Sequence, residues 1–257
     1  MKAFLLAGGH GTRLRPITDT VPKCLVPICG TPLLGIWLDL CFRSGITDVL
    51  INLHAHADTI ERYLERCNSP VRVRLVHEER LLGSAGTLAA NRSWVDSDPA
   101  FWILYSDVLT NVNLRRMSEF HFHHRKIATL GLYQVPDPSR CGVAITNGNG
   151  VVSGFEEKPQ APRSDWVFSG LMVASPDIFP YIPPGIPVDI GGHLLPRLVG
   201  QMMAYPIADY LLDIGTMLNY QKAQTTWTGH APRTASPDEI EAPPQRELQA
   251  ARWLEGR

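Results

Sequence analysis

The chain opens on a short, continuous apolar run, Ala3–Ala7, that stops at Gly8 and Gly9. A run of that length bounded by glycine reads as a buried strand. Apolar positions then recur at helical spacing over Leu33–Arg43, and Ser44-Gly45 ends the element. The alternation continues with a strand at Asp48–Leu53, a helix at Asp58–Arg66, a strand at Val71–Val76 and a helix at Ala85–Arg92. A strand at Phe101–Tyr105 runs into Ser106-Asp107, and a helix follows over Leu114–Lys126. Strands alternating with helices imply a parallel sheet covered on both faces.

After Ile127 the rhythm changes. Ala128–Val135, Gly142–Thr146 and Val151–Phe155 read as closely spaced strands. Asn147-Gly148-Asn149-Gly150 lies between the last two, and Asn and Gly tolerate the positive φ of a hairpin turn. Val167–Ala174 is a further strand, Asp189–Val199 a helix, Met203–Pro206 and Tyr210–Leu212 short strands, and Gly215–Trp227 a closing helix. The expected fold is therefore α/β: a Rossmann-like mixed, mainly parallel sheet flanked by helices, with the second half lying over the same sheet. One domain spans 1–227. From Thr228 the chain turns rich in Pro, Ala and charge without apolar periodicity, which predicts a flexible tail over 228–257. Leu248–Leu254 has enough apolar residues for one or two helical turns against the body or a partner, and a solvated terminus is the alternative.

Composition narrows the function. Of 257 residues, 44% are hydrophobic and 19% charged, which suits one α/β domain with a full core. A formal net charge of −1 offers no global basic field for nucleic acid, so any bound anion needs local cations. Five cysteines, odd in number and without a CxxC, read as free thiols in a reducing, cytoplasmic setting. The first residues make too short an apolar run for a signal peptide, and no stretch reaches the ~20 apolar residues of a membrane span.

Those local cations stand just after the first strand, in LAGGHGTRLR at 6–15 and in Pro22-Lys23. A dinucleotide fingerprint needs a third glycine where Leu14 stands, and a Walker loop needs a GK[ST] that is absent. What remains is a Gly-Gly-x-Gly-Thr-Arg loop whose backbone N–H groups can approach phosphate closely. Arg13 can grip phosphate with two hydrogen bonds, and Lys23 adds a point charge.

LAGGHGTRLRPIT…VPKCLVPICGTPLL resembles the opening signature of the sugar-1-phosphate nucleotidyltransferases. The resemblance continues through GSAG at 83–86, YSDV at 105–108, CGVAI at 141–145, FEEKP at 155–159 and LLDIGT at 211–216. It is most similar to the mannose-1-phosphate guanylyltransferases, with heptose-1-phosphate guanylyltransferases and short uridylyltransferases as neighbours. The resemblance implies that Arg13, Lys23, Asp107, Lys158 and Asp213 are the catalytic set, with Asp107 and Asp213 holding Mg2+. It assigns the nucleotide to Leu6, Ala7, Gly8, Gly9, Gly11, Thr12, Arg13, Glu78 and Gly83. It assigns the sugar phosphate to Gly142, Glu157, Lys158 and Gly170. Phe168 and Ser169 stand where relatives usually carry Asn-Ala, and Cys141 replaces an aromatic residue.

The implied reaction is attack of a sugar 1-phosphate on the α-phosphorus of an NTP, with pyrophosphate leaving. A glutamate near the base only accepts hydrogen bonds, which suits the donors of guanine and favours GTP with mannose or manno-heptose 1-phosphate. UTP, dTTP or CTP with another hexose phosphate is the alternative, as is a non-catalytic subunit that senses sugar nucleotides. No hexapeptide repeats follow the domain, so a monomer or homodimer is expected. His121 and His124 fit the spacing of two zinc ligands on one helix face, without a matching Cys or carboxylate cluster.

Overall fold

The computed structural model describes residues 1–229. The strands are β1 (Lys2–Leu6), β2 (Pro27–Ile28), β3 (Thr31–Pro32), β4 (Asp48–Leu53), β5 (Arg72–His77), β6 (Phe101–Tyr105), β7 (Val108–Thr110), β8 (Ala128–Gln134), β9 (Gly142–Thr146), β10 (Val152–Glu157), β11 (Trp166–Ala174), β12 (Met202–Pro206) and β13 (Leu211–Asp213). The helices are α1 (Leu33–Arg43), α2 (Ala57–Arg66), α3 (Ser84–Ala90), α4 (Leu114–His123) and α5 (Met217–Thr226). Among the described residues no helix is long and apolar enough to cross a membrane.

Nine strands form one mixed sheet. Its spine runs β10-β9-β11-β6-β1-β4-β5, and β8 pairs with both β11 and β12 beside it. From β6 to β5 every pairing is parallel. β11 enters antiparallel to β6 and begins the second half. β9 and β10 form the expected hairpin, closed by Asn147 N to Val151 O at 3.0 Å and Gly150 N to Asn147 O at 3.0 Å.

The apolar runs are continuous because both faces of the sheet are covered. Ala3 and Leu5, Val49 and Ile51, Trp102 and Leu104, and Leu171 and Val173 point into one core. Their alternates Phe4, Leu50, Phe101, Ile103 and Met172 point into the other. This period of two seats α1 on the first face, where Leu33, Leu34, Trp37, Leu38 and Cys41 are buried. Gly45, at φ +79, ends that helix as the sequence predicts.

Two expected elements differ. The helix over Asp189–Val199 is instead a π-turn at Ile190–Leu194 followed by a 3-10 turn at Leu195–Leu198. Pro196 has no N–H to continue an α-ladder, and Gly191-Gly192 weakens it. α4 stops at His123, three residues short of Lys126, because His124 goes extended and its ring bonds Thr129 at 2.7 Å. β7 falls outside the sequence reading. It pairs with β13, its only sheet partner among the described residues. The predicted tail lies outside the described residues from position 230 on, and so do its helical turns at 248–254.

Candidate functional site

The parallel strands β1, β4, β5 and β6 all deliver their carboxyl ends to one edge, where open α/β sheets place ligands. Leu6 ends β1, and its carbonyl accepts from Ser106 N at 3.1 Å, just beyond β6. Ala7 N donates to Asn52 Oδ1 at 2.8 Å at the end of β4. Gly8 lies so close over that amide that a Cβ would meet Asn52 Nδ2 at 2.6 Å. Gly9 is exposed, with no atom within 4 Å of where a Cβ would stand. Gly11 takes φ +65, and its carbonyl accepts from Thr18 Oγ1 at 2.8 Å. The loop is thereby folded back toward Lys23, while Thr12 and Arg13 reach solvent.

Glu78 is nearly fully buried behind this loop. Its Oε1 accepts from Asn52 Nδ2 at 3.0 Å and from the Thr87 hydroxyl, and its Oε2 accepts from Leu82 N at 3.2 Å. The carboxylate therefore ties the strand-end amide that holds Ala7 to the loop before α3. The family resemblance places Glu78 beside the base, whereas in the structure both its oxygens accept from protein donors. Asn52 and Thr87 escaped that reading. The signal for Asn52 is one amide inside the apolar run of β4.

Gly83 takes φ +81 and packs directly on Val188, where a Cβ would meet the backbone carbonyl oxygen at 2.5 Å. Val188 O accepts from Ala85 N at 2.9 Å and Gly86 N at 3.0 Å. Ser84 N donates to Asp189 Oδ1 at 3.2 Å, and Ile190 N donates to Ser84 Oγ at 2.7 Å. The GSAG turn is thus bolted to the 188–190 segment.

The charged cluster lies under the loop. Lys23 Nζ pairs with Asp107 Oδ2, with only 13% of the lysine side chain exposed. Asp213 closes β13 opposite Val108, so the β7–β13 pairing that the sequence hid brings the two aspartates together. Ile214 N donates to the Asp107 carbonyl at 2.8 Å, and Gly215 N to Asp213 Oδ1 at 2.5 Å. A Cβ on Gly215 would meet Asp213 Oδ1 at 2.6 Å and Arg13 Nη2 at 2.8 Å, so the guanidinium stands over this turn. Burial first, and Asp107 second, push the Asp213 carboxyl above the usual range, against Lys23, the Gly215 N–H and Arg13.

A second group stands at the end of β10, beyond the turn that Tyr105 joins. Tyr105 OH donates to Ser84 Oγ at 3.4 Å. Burial raises its phenol against the Ser84 hydrogen bond, and Asp107, Asp189 and Glu157 push the same way as burial. Glu157 Oε1 is 3.4 Å from Lys158 Nζ. Lys158 is held at φ +49, with its N–H donating to the Cys141 carbonyl at 2.9 Å. A Cβ on Gly142 would meet Phe155 Cζ at 2.5 Å and Glu157 Oε2 at 2.9 Å. Burial, then Asp213, Glu157 and Asp137, raise the Cys141 thiol, against Lys158. Gly170, at φ +81, is buried behind Tyr105, where a Cβ would meet Tyr105 Cβ at 3.0 Å. It lets β11 approach the end of β6.

His121 and His124 both bond the Thr129 hydroxyl, at 3.0 and 2.7 Å, away from this edge. Among the described residues no group of three or more His, Cys, Asp or Glu is placed to hold a metal.

Comparison with known proteins identifies the family. A family model described as nucleotidyl transferase matches residues 2–229. The chain is 35% identical over 222 residues to the mannose-1-phosphate guanylyltransferase catalytic subunit beta of Xenopus tropicalis, covering 84% of this chain and 61% of that protein. It is 31% identical over 242 residues to the UTP–glucose-1-phosphate uridylyltransferase of Synechocystis, covering 87% and 62%. The crystal structure of HddC from Yersinia pseudotuberculosis shares the fold, with a TM-score of 0.74 at 24% identity over 87% of this chain and 97% of that one. The chain spans about three-fifths of the length of the first curated relatives it matches.

Proposed function

The chain belongs to the nucleotidyl transferase family, and from that premise we propose that it transfers a nucleotidyl group from an NTP to a sugar 1-phosphate, releasing pyrophosphate. The observation that carries this reading is the gathering of Arg13, Lys23, Asp107 and Asp213 under the glycine loop, with Glu157 and Lys158 paired at the end of β10.

Two anions must meet for this reaction, so repulsion is the first obstacle. The Gly8–Gly11 backbone and Arg13 receive the triphosphate, and Lys23 stands beneath it. Lys158 binds the sugar phosphate while Glu157 accepts from sugar hydroxyls. One oxygen of the sugar phosphate forms the new bond to the α-phosphorus, and the bond to the β-phosphate bridging oxygen breaks. Pyrophosphate carries off that electron pair. Sugar phosphate is already mostly ionised at neutral pH, so no general base is needed. Positioning and fixed charge supply the rate.

The donor set fits Mg2+. Two carboxylates meet with one oxygen of each engaged by Lys23 or Gly215 N–H, and a buried acid is raised by its neighbour. Mg2+ commonly takes one or two carboxylates and completes its shell with substrate phosphates and water. When bound between Asp107 and Asp213, it would neutralise charge on the phosphates during displacement.

GTP with mannose 1-phosphate or manno-heptose 1-phosphate is the proposed pair, supported by the similarity to the Xenopus mannose-1-phosphate guanylyltransferase subunit. The Synechocystis relative favours a second reading with UTP and glucose 1-phosphate. The test incubates purified protein and Mg2+ with each NTP against a panel of sugar 1-phosphates and follows pyrophosphate. Release with GTP and mannose 1-phosphate supports the reading. Release only with UTP or dTTP overturns the guanylyl assignment, and nucleotide binding without release for any sugar overturns the transferase.

A further inference from the structure

Glu157 is held from behind by a residue thirty-four positions later. Its Oε2 packs against Gly191, where a Cβ would meet that oxygen at 2.5 Å and Glu157 Cδ at 3.0 Å. The three nearest atoms at Gly191 all belong to Glu157, and Gly191 is not in the left-handed region, so alanine meets no backbone strain there. The neighbouring Gly192 has nothing within 4 Å of its own Cβ position. The π-turn that presents Gly191 is itself anchored. Val188 O accepts from the first N–H groups of α3, and Asp189 accepts from Ser84 N. Its backbone therefore has no freedom to retreat. Gly142 closes the other side of the same oxygen.

We propose that Gly191 is a positioning residue, whose missing side chain leaves the space that sets the Glu157 carboxylate, and with it the Lys158 ammonium, for the sugar 1-phosphate. This rests on the transferase reading and deepens it, by placing selectivity for the sugar at Gly191, whose nearest neighbours are Glu157 atoms. A methyl group at 191 displaces the free end of one flexible side chain, so the fold survives and the acceptor moves. The nucleotide side, built on Arg13, Lys23, Asp107 and Asp213, stays in place.

The experiment compares Gly191→Ala, Gly192→Ala, Glu157→Asp and the double variant Gly191→Ala/Glu157→Asp with wild type, using Mg2+ and the NTP–sugar 1-phosphate pair that wild type turns over fastest. Thermal midpoints are measured alongside. Loss of a hydrogen bond to a charged acceptor corresponds to roughly ten- to hundredfold. Gly191→Ala should raise the KM for sugar 1-phosphate by about that factor, with the NTP KM and the midpoint near wild type. Gly192→Ala should change neither KM. An aspartate in place of Glu157 is one methylene shorter and clears the new methyl. The double variant should therefore recover part of the affinity lost in Gly191→Ala, although Glu157→Asp alone weakens it. A sugar KM in Gly191→Ala equal to wild type, an equal rise in both KM values, or a Gly191→Ala chain that unfolds where Gly192→Ala folds overturns the inference alone. Wild type that turns over no pair overturns the transferase reading and this inference with it.

Discussion

Replacing Asp213 by asparagine separates the stability of the site from its activity, because the two move in opposite directions. Asp213 ends β13 opposite Val108 and so stands beside Asp107. Burial and Asp107 outweigh Lys23, the Gly215 N–H and Arg13 in setting its carboxyl, so the folded chain favours a neutral group there. Asparagine supplies one of nearly the same shape, and its Oδ1 can keep the 2.5 Å bond from Gly215 N. Removing a charge that is disfavoured first by burial and then by Asp107, less its attraction to Lys23 and Arg13, should give a net gain of about 1 kcal/mol, the usual size of a stabilising charge change. For a domain of this size that is a rise of roughly 2–4 °C in the thermal midpoint. The rise should appear by scanning fluorimetry in chelator. Millimolar Mg2+ should then stabilise wild type by binding only the folded state, and leave the asparagine variant nearly unmoved. Pyrophosphate release should fall by about 10²–10³, the cost of one preorganised charge. An Asp213→Asn protein with wild-type turnover, or with a metal-free midpoint below wild type, would refute the reasoning.

Two further outcomes follow from the buried polar groups. Glu78→Gln puts an amide NH2 against at least one of three donors, Asn52 Nδ2, Thr87 Oγ1 or Leu82 N, in a site that excludes water. The expected loss is about 2 kcal/mol, or roughly 4–8 °C, and an unchanged midpoint would show that Glu78 does not hold the loops. His121 is buried beside His124, which brings its pKa from 6.5 down to about 4. The unfolded ring takes its proton near pH 6.5 and the folded ring only near pH 4. Its contribution is therefore complete above 6.5 and lost as pH falls through that window, by about 3 kcal/mol in all. The urea midpoint of wild type should drop more steeply between pH 6.5 and 4 than that of His121→Gln; parallel slopes would sink the assignment.

The parallel strands around the glycine loop were legible because burial on both faces forces unbroken apolar runs, and Phe101–Tyr105 and Asp48–Leu53 appear in the structure with the bounds read from the chain. The 189–199 segment was not legible, because its apolar spacing is helical while Gly191, Gly192 and Pro196 break the ladder locally. Glu78 shows the same limit. Its charge and place suggest a ligand group, and only the positions of Asn52, Thr87 and Leu82 reveal a carboxylate already occupied.

By itself, the order of residues determined the alternation of strands and helices, the glycine loop and the identity of the charged groups. Those are local properties, written in spacing and in side-chain chemistry. Tertiary structure decided which charges meet. Asp107 and Asp213 are separated by over a hundred positions, and they face one site only because β7 and β13, two strands of three residues each, pair antiparallel. The sequence shows β13 as a short apolar run but hides β7 and gives neither strand its partner, so the pairing is fixed by the packing around it.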